Sequence, residues 1–232
     1  MHQLQLSLSH PPWHLSGIVY GTLLNDGVAL AALGDAVHQS PYRAPPKAPV
    51  LYIKPGNTLA ATGAKVVVPH DVDAFEIGAA LGLVIGRTAC QVDERNAMQY
   101  LAGYILVADL SVPHESFYRP SIRFKARDGS CLVGSQMVTP DRLPAPDALS
   151  LRVLIDGELV HTACTADMVR PVARLLAEVS EFMTLHPGDV LMLGVAGGGI
   201  PRARAGQHFA IETDAIGRLD GALVAERQGA AA

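Results

Sequence analysis

The residues of this chain that could do chemistry are concentrated between positions 103 and 129. An apolar segment ends at the carboxylate Asp109, and a run of basic and hydrogen-bonding side chains follows it. A carboxylate next to several cations suits a site for a small polyanionic ligand, with or without a metal ion. A solvated, charge-balanced loop is the alternative, because most charge runs are of that kind. The run consists of His114, Tyr118, Arg119, Arg123, Lys125 and Arg127.

The cations in this run favour a small polyanionic ligand. Arg binds a carboxylate through two parallel hydrogen bonds, and Lys supplies a movable point charge. His114 is the histidine nearest to Asp109 in the sequence, so it is the candidate for proton transfer. Surface ion pairs with neighbouring acids such as Glu115 and Asp128 are the competing interpretation, and such pairs contribute little stability.

Short apolar segments between Gly, Pro and Asp residues predict a β-rich chain with few helices to position these groups. The dipeptide Asp156-Gly157 predicts a two-residue hairpin turn, because both positions of such a turn need a positive φ. Helices are predicted at Glu94–Leu101, with Asp93 as the N-cap, and from about Met168 to Met183. The predicted strands are Ile18–Leu24, Val50–Ile53, Lys65–Val68, Gly78–Ile85, Tyr104–Ala108, Leu151–Ile155, Val190–Leu193 and Phe209–Glu212.

Composition limits the class of protein. The 232 residues contain no linker or low-complexity stretch, so we expect a single domain, 1–232, with a frayed tail at Gln228–Ala232. A net charge of −4 argues against nonspecific nucleic-acid binding. The longest apolar run, Ile77–Ile85, is far shorter than the ~20 residues that span a bilayer, and the N-terminus has no signal-peptide pattern. Three scattered cysteines favour reduced thiols and a cytoplasmic location.

Motifs along nearly the whole chain resemble the fumarylacetoacetate hydrolase superfamily, in the order and with the spacing of that family. The resemblance implies a mainly β (α+β) fold, a mixed β-sandwich or roll of the fumarylacetoacetate hydrolase C-terminal-domain type with few helices. The matching motifs are YIKP at Tyr52–Pro55, VIGR at Val84–Arg87, GYxxxxD at Gly103–Asp109 with the later Lys125, GELVHTACTADM at Gly157–Met168 and LHPGDVLMLG at Leu185–Gly194.

Three further motifs are similar to one branch of the superfamily, the bifunctional isomerase/decarboxylase of 4-hydroxyphenylacetate (homoprotocatechuate) degradation. They are SPYRAPPK at Ser40–Lys47, ESFYRP at Glu115–Pro120 and SEFMTLHPGD at Ser180–Asp189. Members of that branch are built from two related halves, and this chain is more similar to the N-terminal half. The resemblance implies decarboxylation of 5-oxopent-3-ene-1,2,5-tricarboxylate and isomerisation of the 2-hydroxyhepta-2,4-diene-1,7-dioate that forms.

The resemblance also implies one divalent cation, Mg²⁺ or Mn²⁺, held by a Glu-x-Glu pair on one strand and an Asp on the next. Asp109 matches the Asp, but Gly78 and Ala80 stand at the positions of the pair. Glu76 shares their strand face, although it lies two residues, ~6.6 Å, too early. Glu76 is therefore a doubtful second ligand that only a β-bulge would bring in, and the chain is left with a degenerate metal site.

The basic residues match the family better than the metal ligands do. Lys125 matches a lysine of the family and, with His114, is the candidate catalytic group. The expected substrate-binding residues are Lys54, Tyr118, Arg119 and Arg127. Two other changes weaken the match: Ala29 and Ala32 stand where relatives carry a His and Glu pair, and Gly194-Val195-Ala196 replaces a Gly-Thr-Pro.

Two main functions follow from this mixture, and a small-carboxylate binding protein outside the pathway is a third. The first is a subunit of the decarboxylase/isomerase that acts on a small di- or tricarboxylate. The alternative is a catalytically degenerate partner that keeps the fold and stabilises a metal-bearing paralogous subunit. The resemblance implies either a homodimer or such a heteromer, with no nucleic acid and no membrane involved.

Overall fold

The computed structural model describes residues 14–114 and 122–226 of the chain. Within these ranges the strands are β1 (Val19–Leu23), β2 (Val50–Lys54), β3 (Leu59–Ala61), β4 (Lys65–Val68), β5 (Phe75–Ile85), β6 (Leu101–Ser111), β7 (Cys131–Val138), β8 (Ser150–Ile155), β9 (Glu158–Cys164), β10 (Val190–Val195), β11 (Arg202–Ala203), β12 (His208–Thr213) and β13 (Gly217–Ala225). The α-helices are α1 (Gly27–Ala32), α2 (Ile122–Lys125) and α3 (Val172–Ser180). Turns of 3-10 helix cover Gly34–His38, Gly56–Thr58, Glu94–Tyr100, Pro146–Ala148 and Thr165–Asp167.

The strands form two sheets. The larger one has the order β2-β1-β10-β5-β6-β7-β3, and β11 pairs with the start of β5. The smaller one has the order β4-β13-β12-β8-β9. Most pairs are antiparallel, whereas β1 with β10, β3 with β7 and β4 with β13 are parallel. Both sheets are therefore built from a mixture of local hairpins and long-range pairs.

The larger sheet must curl. Its two terminal strands, β2 and β3, are consecutive in the chain and are joined only by residues 55–58. Strands at the two ends of the order can be joined by so short a turn only if the sheet bends round until those ends meet. The curl has an interior of its own, and this interior holds the candidate site.

The strands β5 and β6 bury side chains on both of their faces. Because side chains alternate along a strand, Ile77 and Leu81 face the smaller sheet and α3 within one apolar cluster. Ala80 and Val84 belong to a second cluster inside the curl, together with Val107. Strands covered on both faces read as continuous apolar runs, which explains the sequence of these two segments.

The β-rich fold class is confirmed, and every predicted strand overlaps an observed one. The hairpin turn is confirmed as well, since φ is 50° at Asp156 and 86° at Gly157. The second predicted helix is shorter than expected. It begins only after Pro171, whose missing N–H and fixed φ suit a helix start.

One local prediction changed in kind, and one helix was missed. The segment predicted as a helix after Asp93 is a 3-10 helix, Glu94–Tyr100, and the Asp93 side chain accepts a hydrogen bond from Arg95 N. The helix α1 was not predicted; it begins after Asp26, whose side chain accepts from Ala29 N. In the described ranges, no helix is long and apolar enough to cross a membrane.

Candidate functional site

A buried ionic group lies inside the curl of the larger sheet, around Asp109. Strand β6 provides Asp109, strand β2 provides Tyr52 and Lys54, and the last residue of α2 is Lys125. We call these four residues the Asp109 cluster. Lys54 Nζ lies 2.7 Å from Asp109 Oδ1, and Lys125 Nζ lies 2.7 Å from Oδ2. The Tyr52 hydroxyl donates a short hydrogen bond to Oδ2. Both carboxylate oxygens are thus in contact with a cation.

The Lys54 ammonium group is hydrogen-bonded to backbone carbonyl oxygens. Its Nζ contacts the carbonyl oxygens of Leu110 at 2.9 Å, Lys125 at 2.5 Å and Ser130 at 3.1 Å. An ammonium has three donors, so its contact with Asp109 Oδ1 is an ion pair rather than a well-aligned hydrogen bond, and Oδ1 accepts none from the described residues. The Lys54 side chain is 0% exposed. Lys54 therefore fastens β2 to the backbone near β6 and β7.

The sequence around Tyr52 explains how the cluster forms. Tyr52 and Lys54 are two residues apart on β2 and therefore point into the curl together. The Tyr52 ring lies over Gly21 of β1, its partner in the ladder, where a Cβ atom would overlap the ring. Lys125 Nζ lies 4.6 Å from the centre of the same ring, a cation–π contact. Gly21 thus makes room for the aromatic side chain that supports Lys125.

The electrostatics of the cluster follow from burial and from the two lysines. Burial alone would raise the pKa of Asp109, but Lys125 and Lys54 outweigh it and hold that pKa well below its usual range. Burial, together with the charge of Asp109, raises the pKa of Tyr52 well above its ordinary value. Burial also raises the pKa of Cys131, which pairs with Asp109 in the ladder, to about 12. The phenol and the thiol are therefore neutral, and two ammonium groups face one carboxylate.

The positions that would complete a metal site carry no ligands. Gly78 pairs with Asp109 across the ladder, and a Cβ atom at position 78 would lie 2.8 Å from a methyl group of Val195. Ala80, which pairs with Val195, is fully buried among apolar residues. Glu76 lies opposite Ser111 rather than opposite Asp109, and its Oε1 is 3.2 Å from Arg202 Nη2. The pairing of β5 with β6 is therefore regular at Glu76, and no β-bulge brings this side chain opposite Asp109.

A divalent cation does not fit these side chains. Among the residues that the structure describes, no group of three or more His, Cys, Asp or Glu side chains is placed to hold a metal. An ion at Asp109 would also face Lys54 and Lys125. Unit charges roughly 4 Å apart repel by about 4 kcal/mol at an effective dielectric constant of about 20, and a divalent ion doubles this for each lysine. One carboxylate carries enough charge to balance only one of the two lysines.

The other predicted site residues lie at different places. His114 follows β6, where its Nδ1 is 2.9 Å from Val112 O and its ring stacks on Phe124 with centroids 5.0 Å apart. Arg127 is half-buried and its Nε donates to Arg123 O. Tyr118 and Arg119 lie outside the described residues, as does the tail Gln228–Ala232.

Sequence reasoning missed Tyr52 as a member of the site. The available signal was its position two residues before Lys54 in YIKP, which places both side chains on one face of a strand. Its contact with Asp109 depends on the curl, because β1, β10 and β5 lie between β2 and β6 in the sheet order. That contact could not be read from local pattern.

The segment that precedes α1 is joined to the loop after β10. Asp26 Oδ2 accepts a hydrogen bond from Gly197 N at 2.9 Å, while Oδ1 caps α1. Ala29 and Ala32 occupy this helix, so it presents methyl groups where relatives are expected to carry an acid–base pair. The helix therefore provides no proton-transfer group from those two positions.

The fold and the motifs agree with one family. The chain matches the model of the fumarylacetoacetate (FAA) hydrolase C-terminal family over residues 18–224. It therefore belongs to this family, as the motifs predicted.

Individual relatives narrow the resemblance. The chain is 38% identical over 218 residues to the 4-hydroxyphenylacetate degradation bifunctional isomerase/decarboxylase of Escherichia coli. The aligned residues cover 92% of this chain and 48% of that protein. The corresponding protein of Salmonella dublin is 37% identical, with 91% and 48% covered. The chain thus spans about half the length of these curated relatives.

Solved structures support the fold. Fumarylpyruvate hydrolase from Pseudomonas aeruginosa, in complex with Mn²⁺ and pyruvate, superposes with a TM-score of 0.82 at 19% identity and 97% coverage of both chains. The 5-carboxymethyl-2-hydroxymuconate delta-isomerase from Mycobacterium smegmatis gives a TM-score of 0.78 at 25% identity, with 92% of this chain and 81% of that chain covered.

Proposed function

We propose that this chain is a subunit of the decarboxylase/isomerase of 4-hydroxyphenylacetate catabolism. Its substrates would be 5-oxopent-3-ene-1,2,5-tricarboxylate and 2-hydroxyhepta-2,4-diene-1,7-dioate. The support is 38% identity over 92% of the chain to a bifunctional relative about twice as long. We further propose a single domain over 1–232, because the family match reaches 18–224, and a cytoplasmic location in keeping with three free cysteines.

Within this enzyme, we propose that the chain is the partner of a metal-bearing paralogous subunit. The observation that supports this role is the lack of ligands on β5, where Gly78 lies opposite Asp109 and Ala80 is buried among apolar residues. Catalysis in the paralogue would use its metal to stabilise the enolate of a 2-oxo acid. Homologous subunits share interface geometry, so either homomeric or heteromeric pairing can arise from one ancestral dimer.

A second candidate function, catalysis by this chain itself, is favoured by Lys125. Its side chain is 7% exposed, and Asp109 and the Tyr52 ring hold it at the end of the curl. A fixed ammonium of this kind can stabilise the negative charge of an enolate. His114 could then donate or accept the proton that moves along the conjugated chain. In this function Lys125 would do the electrostatic work that a metal does in relatives.

Coexpression with the paralogue tests both candidates. Size-exclusion chromatography and decarboxylation rates should be measured for each subunit alone and for the mixture. The partner role predicts a stable heteromer that is more active than the paralogue alone, and no activity from this chain by itself. Full activity from this chain alone would exclude the partner role, and absence of both association and activity would refute both candidates.

Matched variants identify the residue responsible. Measured below the unfolding transition of the variant, Lys125→Met should leave the activity of the heteromer nearly unchanged if this chain is a partner, and should abolish activity if this chain is the catalyst. Lys65→Met is the control, because Lys65 is an exposed lysine on β4 of the smaller sheet. An equal effect of both variants would show that general charge, and not the site, is responsible.

A further inference from the structure

We infer that the Asp109 cluster is an internal ionic clamp that replaces a metal centre in this chain. Asp109 then serves as the counterion that holds β2 and α2 against β6. This inference concerns the chain by itself and does not rest on the proposed pathway or on the proposed partner. It disagrees with the metal that the family resemblance implies, because the side chains around the carboxylate do not fit a divalent cation.

First, the ion pairs of Asp109 connect three different elements of the fold. Lys54 comes from β2, Lys125 from α2 and Asp109 from β6, so one carboxylate joins three elements. The strand β2 is hydrogen-bonded as a strand to β1 and lies at one end of the sheet order, so side chains have to link it to β6. The helix α2 is joined to the end of β6 by one backbone hydrogen bond as well, from Val112 N to Phe124 O at 3.0 Å. Lys54 also reaches Ser130 O, just before β7. The cluster therefore closes the curl at the end where Tyr52 and Lys54 point inward.

The second step is the absence of room and ligands on β5. Gly78 presents no side chain to Asp109, and the methyl groups of Val195 pack over it. Ala80 is part of the apolar interior. A cation placed here would meet methyl groups and two ammonium groups instead of the oxygen ligands that Mg²⁺ and Mn²⁺ require.

The third step is the cost of losing the carboxylate. Lys54 is 0% exposed and Lys125 is 7% exposed, so both ammonium groups would lose their anion in a site with almost no water. A buried charge without a partner is strongly destabilising. A clamp of this kind predicts that Asp109 is required for stability whether or not a metal is supplied. If Asp109 were a metal ligand, its replacement would lower stability only when the metal is present.

The test is thermal unfolding of the full chain with 1 mM MnCl₂, with 1 mM MgCl₂ and with EDTA, for the parent and for Asp109→Asn. We expect the parent Tm to stay within about 1 °C in all three conditions. We expect Asp109→Asn to lower the Tm by at least about 6 °C, by the same amount with and without Mn²⁺. Glu76→Gln is the matched control, since Glu76 is the nearest carboxylate on β5 and should change Tm little.

The opposite pattern would overturn the inference. Mn²⁺ at one hundred times its Kd would raise the Tm of a metal-binding parent by about 5–10 °C, and that rise would disappear in Asp109→Asn. An unchanged Tm for Asp109→Asn without metal would also refute the clamp. If Asp109→Asn does not fold, Lys125→Met provides the second variant: a lowered Tm supports the clamp and an unchanged Tm refutes it. Titration of the parent with Mn²⁺, followed by its electron paramagnetic resonance signal, needs no variant.

Discussion

Two ionic groups in this molecule have the same balance of charges and different surroundings. In each, one carboxylate lies between two cations. Asp109 is between Lys54 and Lys125 inside the curl. On α3, Glu178 is 2.5 Å from Arg170 and 2.6 Å from Arg174.

The difference between them is access to water. The Asp109 carboxylate is 0% exposed, whereas the Glu178 side chain is 22% exposed and that of Arg174 is 49% exposed. Around Glu178, water can replace a lost partner and screens the charges. Around Asp109, every partner must come from the protein, as the carbonyl oxygens around Lys54 show. A carboxylate between two cations at similar distances can thus contribute more to stability in one place than in the other.

The largest expected effect is that of Lys54→Met. The variant removes one cation of Asp109 and one donor from each of the carbonyl oxygens of Leu110, Lys125 and Ser130. Lys125 O keeps the Ser130 hydroxyl and Ser130 O keeps Leu110 N as donors. We expect the free energy of unfolding to fall by about 3–5 kcal/mol, as for other broken buried pairs. Urea unfolding followed by circular dichroism would measure it. A loss no greater than that of Arg174→Met would erase the contrast between the two groups.

A smaller effect is expected for Arg170→Met. Arg170 is buried, and besides Glu178 it donates to Lys47 O at 3.0 Å. Glu178 keeps Arg174 and contact with water, so the free energy of unfolding should fall by about 1–3 kcal/mol, the range for hydrogen bonds to charged groups. The same urea titration gives the value. A loss equal to that of Lys54→Met would mean that burial of the carboxylate does not decide the cost.

The pH dependence of stability separates the groups further. Burial would raise the pKa of Glu178, but Arg170 and Arg174 outweigh it and lower that pKa. A lowered folded pKa means that the stabilisation is present above the unfolded pKa, roughly 4.3 for Glu, and is lost as the pH falls through the folded value. The stability difference between the parent and Glu178→Gln should therefore shrink between about pH 6 and pH 3. A constant difference over this range would contradict the prediction.

The smallest expected effect is a difference in the reactivity of the thiols. Cys131 is buried beside Asp109 with its pKa raised to about 12, whereas Cys90 is exposed. The thiolate is the reactive form, so iodoacetamide should label Cys90 in the native protein and Cys131 only after unfolding. Peptide mass spectrometry would locate the label. Lys54→Met should speed the labelling of Cys131 if the clamp keeps the curl closed, and should leave Cys90 unaffected.

Much of the fold could be predicted from local pattern. Apolar segments such as Gly78–Ile85 and Tyr104–Ala108 lie within β5 and β6, and Asp156-Gly157 determines the hairpin between β8 and β9. The strand β13 was missed because its Gly217 and Asp220 resemble turn residues. Its pairing with β12 and β4 overrides that local preference.

The candidate site was predictable only in part. The local pattern identified Asp109 and Lys125 as charged residues of one region, the family resemblance added Lys54, and the three lie together. The pattern could not show that Lys54 would bind backbone carbonyl oxygens, because those acceptors come from segments distant in the sequence. The same limit applies to Tyr52, whose contact with Asp109 exists only once the sheet has curled.

The position of β10 has a consequence for the order of events during synthesis. This strand lies between β1 and β5 in the larger sheet, although it begins only at Val190. Until the ribosome has released that segment, β1 and β5 each have an open edge that can pair with other chains. The clamp residues of β2, α2 and β6 are made early, but they cannot be held in place by a closed sheet before β10 arrives. Pairing over so long a separation makes this step intrinsically slow, and a nascent chain stalled before Val190 would carry its two unfilled edges into a crowded cell.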